Sequence, residues 1–357
     1  MKFLHISDIH FNPIDDGRAT RDLRDKFMKY AIEKNINNID EVFFTGDFRH
    51  ARKQADQEPQ KVAQNAVKFL CDIANCVGVT DRQHIHIVPG NHDLERIVDS
   101  KLNAEILDTV YKQYDPDDGR FLGYVNKDIV APDYLRSRFG FFENCVSLLN
   151  NQVWSDFKGG EIHRYRNFDD YSIIYLNTAI ASGRDSDRYN LLIGNDDFEK
   201  VVCQTNGKII IVLAHNPLLH LAYDEQNTIK NILKDNNVPV LWFCGDVHKV
   251  QYDKNYDIFC LAAGCMIKQN DAEANFFTGE ITRQNGVVIN AHSYAAKHGY
   301  WQPEEAITKR VKESIPEGLQ PPQYGTLPKI NNIPERNAFF SGRNDKLRLI
   351  ADTFKKK

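Results

Sequence analysis

The chain has 357 residues, 42% of them hydrophobic and 26% charged, with a formal net charge of −4. This is ordinary globular composition, long enough for one large α/β domain with an appendage or for two domains. The acidic balance argues against a generally basic nucleic-acid surface, but a local groove with bound cations can still attract phosphate.

Strand-like apolar runs are predicted at residues 2–7, 41–45, 84–88, 171–177, 208–214, 238–244 and 258–263. Several are continuously apolar rather than alternating, as expected of strands covered on both faces. Helical spacing is predicted over 23–34, 61–76 and 227–234, and the alternation of the two patterns indicates a layered α/β domain. Residues 94–170 break this rhythm. They are rich in Tyr, Phe, Arg and Asp, with 131–150 predicted helical, and read either as an inserted region that walls the site and selects substrates or as plain scaffold.

Final strands are predicted at 276–282 and 286–291, around Gln284-Asn285-Gly286. The catalytic domain is placed at 1–300. Pro303, Pro316, Pro321, Pro322, Pro328 and Pro334 punctuate a polar stretch, read as a linker over 301–333. Seven cysteines, at 71, 76, 145, 203, 244, 260 and 265, lack metal-knuckle spacing, so reduced, mostly buried thiols and a cytoplasmic location are expected. The first apolar run is too short for a signal peptide. No stretch approaches the ~20 apolar residues of a membrane span, and no membrane partner is expected.

Five polar clusters close apolar runs: Asp8-Ile9-His10, Gly46-Asp47, Gly90-Asn91-His92-Asp93, His215 and Gly245-Asp246-Val247-His248. Asp, His and Asn are the oxygen and imidazole donors that hold two divalent metals side by side. At strand ends, residues distant in sequence converge on one edge of a sheet. An Asp and a His two apart on an extended end point the same way, so Asp8 and His10 are predicted to grip one metal together. A carboxylate such as Asp47 is the natural bridge between metals ~3.5–4 Å apart.

The order D-x-H, G-D, G-N-H-D, H, G-D-x-H resembles the calcineurin-like metallophosphoesterases, among them repair nucleases and cyclic-nucleotide phosphodiesterases, over roughly residues 1–265. The resemblance implies a four-layer α-β-β-α sandwich with two mixed sheets and two metals at strand ends. By it, Asp8, His10 and His248 hold the first metal, Asp47 bridges, and Asn91, His215 and residue 246 hold the second. His92 is then the acid at the leaving-group oxygen, with Asp93 its orienter, and a metal-bound hydroxide attacks in line.

The family's last motif begins Gly-His, whereas this chain has Gly245-Asp246. Aspartate brings a charge and a harder oxygen, which tilts the expected metals toward Mn²⁺, with Mg²⁺ or Fe²⁺ as alternatives, over Zn²⁺. Arg49 and His50 are candidates to touch substrate phosphate. His5 and His86 read as core residues, His84 and His163 as surface positions, and His220 as a cap on local structure. The leading functional expectation is a phosphodiesterase or nuclease acting on nucleic acid. The alternatives are a hydrolase of cyclic nucleotides or other small phosphoesters, and a degenerate, non-catalytic binding module.

A second resemblance lies in Ile333-Pro334-Glu335-Arg336-Asn337-Ala338-Phe339-Phe340-Ser341-Gly342-Arg343. It is similar to the segment that enters NB-ARC-type signal-transduction ATPases. It implies that 334–357 begins a following ATPase-like domain, with the phosphoesterase as its effector and self-association through exposed Phe339, Phe340 and Leu347. A tail helix docked on its own domain is the alternative.

Overall fold

The computed structural model describes residues 1–12, 18–50, 59–95, 101–121, 124–126, 129–157, 161–183, 187–255, 258–267, 273–282 and 286–320. The first third runs β1 (Lys2–Ile6), α1 (Arg18–Glu33), β2 (Glu41–Phe44), α2 (Pro59–Cys76) and β3 (Ile85–Ile87). The middle holds α3 (Lys101–Gln113), β4 (Tyr124–Asn126), β5 (Ile129–Val130), α4 (Ala131–Ser137), α5 (Gly140–Leu149), β6 (Arg164–Asn167) and β7 (Ser172–Leu176). Then come α6 (Asn195–Cys203), β8 (Ile210–Ala214), α7 (Tyr223–Asp235), β9 (Val240–Cys244), β10 (Gln251–Asn255) and β11 (Ile258–Ala262). The last elements are β12 (Asn275–Thr282), β13 (Gly286–Ala295), β14 (Tyr300–Pro303) and α8 (Glu305–Ser314).

The strands form two mixed six-stranded sheets, ordered β14-β13-β12-β1-β2-β3 and β10-β11-β9-β8-β7-β6, with β4 and β5 in a small hairpin. In the first, β1, β2 and β3 are parallel and β12 to β14 antiparallel. In the second, β7, β8, β9 and β11 are parallel, flanked by antiparallel β6 and β10.

Apolar side chains of both sheets meet in the middle layer. The Phe243 ring of β9 sits 5.1 Å from Phe3 and 5.6 Å from Phe43 on the facing sheet. Helices α1 and α2 cover the outer face of the first sheet, and α6 and α7 that of the second. Every residue of β2, β7, β8 and β9 is buried, which explains their unbroken apolar runs. This is the expected four-layer sandwich.

Two boundaries differ from expectation. The predicted helix over 131–150 is two helices, α4 and α5, and residues 151–157 beyond them are scaffold. Phe142, Trp154 and Phe157 pack together, and the Trp154 indole donates to the Ile87 carbonyl at 2.8 Å, sealing the β3 edge. The linker is not placed at 301. Residues 301–320 carry the end of β14, α8 and a 3-10 turn at Glu317–Leu319, with Val311, Ile315 and Leu319 buried. Ile307, Val311 and Ile315 recur every fourth residue, a helical stripe that Pro303 and Pro316 bracket rather than interrupt. Residues 321–357, including the remaining linker and the ATPase-like motif, lie outside the described residues. No helix among the described residues is long and apolar enough to cross a membrane.

Candidate metal centre

Five strand ends converge. Asp8 and His10 follow β1, Asp47 follows β2, Asn91 and His92 follow β3, His215 follows β8, and Asp246 and His248 follow β9. The first two loops are laced together: Asp8 N donates to Gly46 O at 3.0 Å, His10 N to Asp47 O at 3.0 Å and Phe11 N to Phe48 O at 2.9 Å. The predicted extended geometry for Asp8 and His10 is corrected here, because the backbone turns left-handed, with φ 54° and 45°. Asp47, Asp246 and His248 share that conformation, with φ 60°, 66° and 54°. Asp and His tolerate it better than bulkier residues, and such conformations cluster where function needs them. Packing behind these residues is close. A Cβ on Gly90 would lie 2.1 Å from Asp47 Oδ1, and one on Gly245 would lie 1.9 Å from Ser7 Oγ.

Two groups of ligand-type atoms meet at one oxygen. In the first, Asp8 Oδ1 lies 3.4 Å from His10 Nε2 and 3.2 Å from His248 Nε2, and the two imidazole nitrogens are 2.8 Å apart. In the second, His215 Nε2 lies 2.9 Å from Asn91 Oδ1 and 3.7 Å from Asp246 Oδ1. Between them, Asp47 Oδ2 is 3.5 Å from His10 Nε2 and 3.4 Å from His215 Nε2.

The other carboxylate oxygens are already engaged. Asp47 Oδ1 accepts the His92 amide at 2.8 Å, and Asp8 Oδ2 accepts the Asp246 amide at 3.1 Å. His215 Nδ1 contacts the Thr45 carbonyl at 2.7 Å, and a carbonyl accepts only from the Nδ1–H tautomer, which leaves the Nε2 lone pair inward.

The donor set fits divalent cations. Asp8 Oδ1 is buried and accepts no hydrogen bond, and facing Nε2 atoms 2.8 Å apart need a cation or a shared proton to coexist. Burial opposes the charge on Asp8, yet the neighbouring His10 and His248 imidazoles hold the carboxyl well below the usual range. Asp47 is likewise lowered against burial, by His215 and His92. Burial disfavours charge on His215 too, but the Asp47 carboxylate raises its pKa well above the ordinary value, so Nε2 offers its lone pair once a cation displaces the proton. The centre is therefore a concentrated negative field that attracts cations.

At the rim, His92 Nε2 is 4.0 Å from Asp47 Oδ2. Its ring meets His10 edge-on at 4.9 Å and stacks on His50 at 5.5 Å. The expected pairing of Asp93 with the His92 imidazole is corrected. Asp93 is fully buried and accepts the amides of Asp47, Phe48 and Gly90 at 2.8–2.9 Å, so it clamps the loop backbones. Burial and the neighbouring Asp47 charge push Asp93 up to about 7. Arg49 also serves the loops: it donates to the carbonyls of His92 (3.0 Å) and Leu94 (3.3 Å) and lies over the Phe141 ring at 4.2 Å.

His220, read in the sequence as a local cap, places Nδ1 2.8 Å from Asp246 Oδ2. A histidine five residues past His215 carried no spacing signal. His163 is buried rather than at the surface: its Nε2 contacts Ile193 O at 2.9 Å and its Nδ1 accepts the Asn177 amide. His84 is partly exposed and pairs with Glu41. His5 and His86 are core residues, as expected.

A sandwich of two mixed sheets with carboxylates, imidazoles and an amide gathered at its strand ends defines a dinuclear-type phosphoesterase scaffold. The calcineurin-like phosphoesterase family model matches residues 1–250, and the chain belongs to that family, whose members typically hold two divalent metals. An uncharacterized metallophosphoesterase-like protein of Bacillus subtilis, YydB, is 22% identical over 328 residues, or 88% of this chain. The chain spans 63% of the length of that relative. Among solved structures, a dimetal phosphatase from Danio rerio is similar with a TM-score of 0.47 at 10% identity, covering 85% of this chain and 98% of that one. GAP50, the anchor in the inner membrane complex of Plasmodium, gives a TM-score of 0.41 at 10% identity, covering 89% and 95%.

Proposed function

We propose that this chain is a two-metal phosphodiesterase that cleaves nucleic acid, with Mn²⁺ as its metal, or Mg²⁺ or Fe²⁺ in its place, and that it acts as the effector part of a longer sensor protein. The observation that carries the catalytic reading is the placement of Asp47 Oδ2 between His10 and His215 with His92 beside it. Asp8, His10 and His248 would hold one metal, Asn91, His215 and Asp246 the other, with Asp47 serving both. When bound, the two ions neutralise phosphate charge and supply an activated water.

The chain's own residues do the rest. Asp93 and Arg49 fix the loops, so the ligands keep their places without substrate. His92, partly exposed at the rim, carries a proton on its imidazole to the departing oxygen, a task suited to an imidazole side chain. The nucleic-acid substrate rests on the family resemblance of the motifs, and the effector role on the 333–343 motif.

The test is hydrolysis by purified protein with and without Mn²⁺ against bis(p-nitrophenyl) phosphate, p-nitrophenyl phosphate, plasmid, single-stranded DNA, RNA and nucleotides. Metal-dependent cleavage of the diester and of at least one polynucleotide is expected. Cleavage of monoesters alone would overturn the diesterase reading, and no metal-dependent turnover would leave the binding-module alternative.

A further inference from the structure

The chain departs from the family's motif at Asp246, and the side chains around that residue are specifically placed. Asp246 presents Oδ1 toward His215, 3.7 Å away, while Oδ2 lies 2.8 Å from His220 Nδ1, too far off axis for a hydrogen bond, so that this buried nitrogen is close to the carboxylate but not hydrogen-bonded. His220 is buried, 3% exposed, on the 3-10 turn Leu218–His220 that follows His215. That turn is held from both sides: His220 N donates to Pro217 O at 2.9 Å, and Leu191 N donates to His220 O at 3.4 Å. The far side of the ring is also specified. Arg188 Nε donates to His220 Nε2 at 3.0 Å, and the Arg188 guanidinium rests over Tyr189, whose ring meets His220 edge-on at 5.4 Å.

These contacts fix a tautomer. An arginine only donates, so Nε2 is the acceptor and the ring proton sits on Nδ1, facing Asp246 Oδ2. A single carboxylate at a ligand position needs such a partner. Unlike an imidazole, it can swing either oxygen inward or turn away, and partners outside the ligand set are what orient ligands.

We propose that His220 is the positioning residue for Asp246: its Nδ1–H, set by Arg188, pins Oδ2 so that Oδ1 alone is offered to the second metal. The pair Asp246 and His220 thus takes the place of the single imidazole at that position in the family pattern. This rests on the two-metal reading above, and the test separates the two.

Metal-free protein is titrated with Mn²⁺ by calorimetry, with free ion followed by electron paramagnetic resonance. Wild-type protein should bind two ions. His220→Ala should weaken one site by about 10–100-fold, the usual range for such partners, and leave the other unchanged. His220→Asn, whose side-chain amide can donate from nearly the Nδ1 position, should recover most of that loss. In Asp246→His, which restores the family pattern, adding His220→Ala should cost no metal affinity. Two sites of wild-type affinity in His220→Ala would overturn the proposal while leaving the two-metal reading intact. Equal weakening in His220→Ala and His220→Asn would assign His220 to packing and overturn it as well. Fewer than two ions bound by wild-type protein would overturn the two-metal reading itself, and this proposal with it.

Discussion

The domain contains two buried clusters of imidazoles and carboxylates, and they are built on opposite principles. At the candidate metal centre, acceptor atoms face one another: Asp8 Oδ1 is left without a hydrogen bond, and the backbone of five residues is left-handed. Around Glu41, within regular strands β2, β3 and β7, every acceptor meets a donor. Tyr171 donates to Glu41 Oε1 at 2.9 Å, His86 Nε2 faces Oε2 at 2.6 Å, and Tyr175 faces His86 Nδ1 at 2.6 Å.

Protonation obeys the same division. Burial would raise Glu41, but His86 brings it below its ordinary value, and burial keeps His86 low, so a neutral ring donates to an ionised carboxylate. Burial raises both phenols, which keep their protons to donate. Identical residue types thus make a ligand set in one place and a sealed structural network in the other. What separates them is whether the lone pairs are already spent.

The sharpest break in this comparison is Asp47→Asn. It keeps the Oδ1 contact to the His92 amide but removes the charge both groups share. Hydrolysis of a diester at saturating Mn²⁺ should fall below a tenth of the wild-type rate with the fold intact by circular dichroism. Retention above that level would remove Asp47 from the bridging role.

Next in size is His92→Ala, expected to lower turnover by about 10²–10⁴-fold, the ordinary worth of a general acid. Metal content should barely change, and the loss should shrink for a nitrophenyl leaving group, which needs no proton. Equal losses on good and poor leaving groups would point away from a proton-donating role.

The structural cluster should give the reverse result. Glu41→Ala orphans the donors of His86 and Tyr171, which should cost roughly 1–3 kcal/mol in urea unfolding, while Mn²⁺ titration still finds wild-type affinities. Altered metal binding in that variant would mean the two clusters are coupled.

The smallest effect concerns acid. Burial holds His292 and His163 down to about 4, and His292 is enclosed by Tyr30 and Thr278 at 2.9 Å each. Both rings are neutral when folded, whereas the unfolded chain takes up protons near pH 6.5. Their contribution is therefore complete above about 6.5 and is lost as pH falls toward 4. Urea midpoints should fall across that window, less steeply in His292→Gln. An unchanged slope would assign the acid lability to other groups.

Much of the site was legible because its residues close strands, and a strand end is visible as an apolar run meeting Asp, Asn or His. The layered α/β domain was legible from the alternation of strand and helix patterns, and its four-layer form from the family resemblance of the motifs. The parts that were not legible depend on contacts across the fold. Asp93 looked like a partner for His92, its neighbour in sequence, but three loop amides claim it. His220 gains its meaning from Asp246, on a different strand. The elements from 301 to 320 were hidden by prolines, although the fourfold spacing of Ile307, Val311 and Ile315 was present throughout.

The left-handed backbone at five candidate ligand positions also bears on how such a site can drift. Each such position costs of order 1–3 kcal/mol for a residue ill-suited to it, and Asp, Asn, His and Gly bear it best. The residues the backbone admits are therefore nearly the same as the residues that coordinate metals. A random change to a branched side chain would be penalised twice, in folding and in metal binding. The changes that survive are exchanges within the small set of tolerated ligands. An aspartate at φ 66°, where the family pattern has histidine, is a substitution of that kind: the strand end permits it, and a neighbouring ring can then be recruited to steady it.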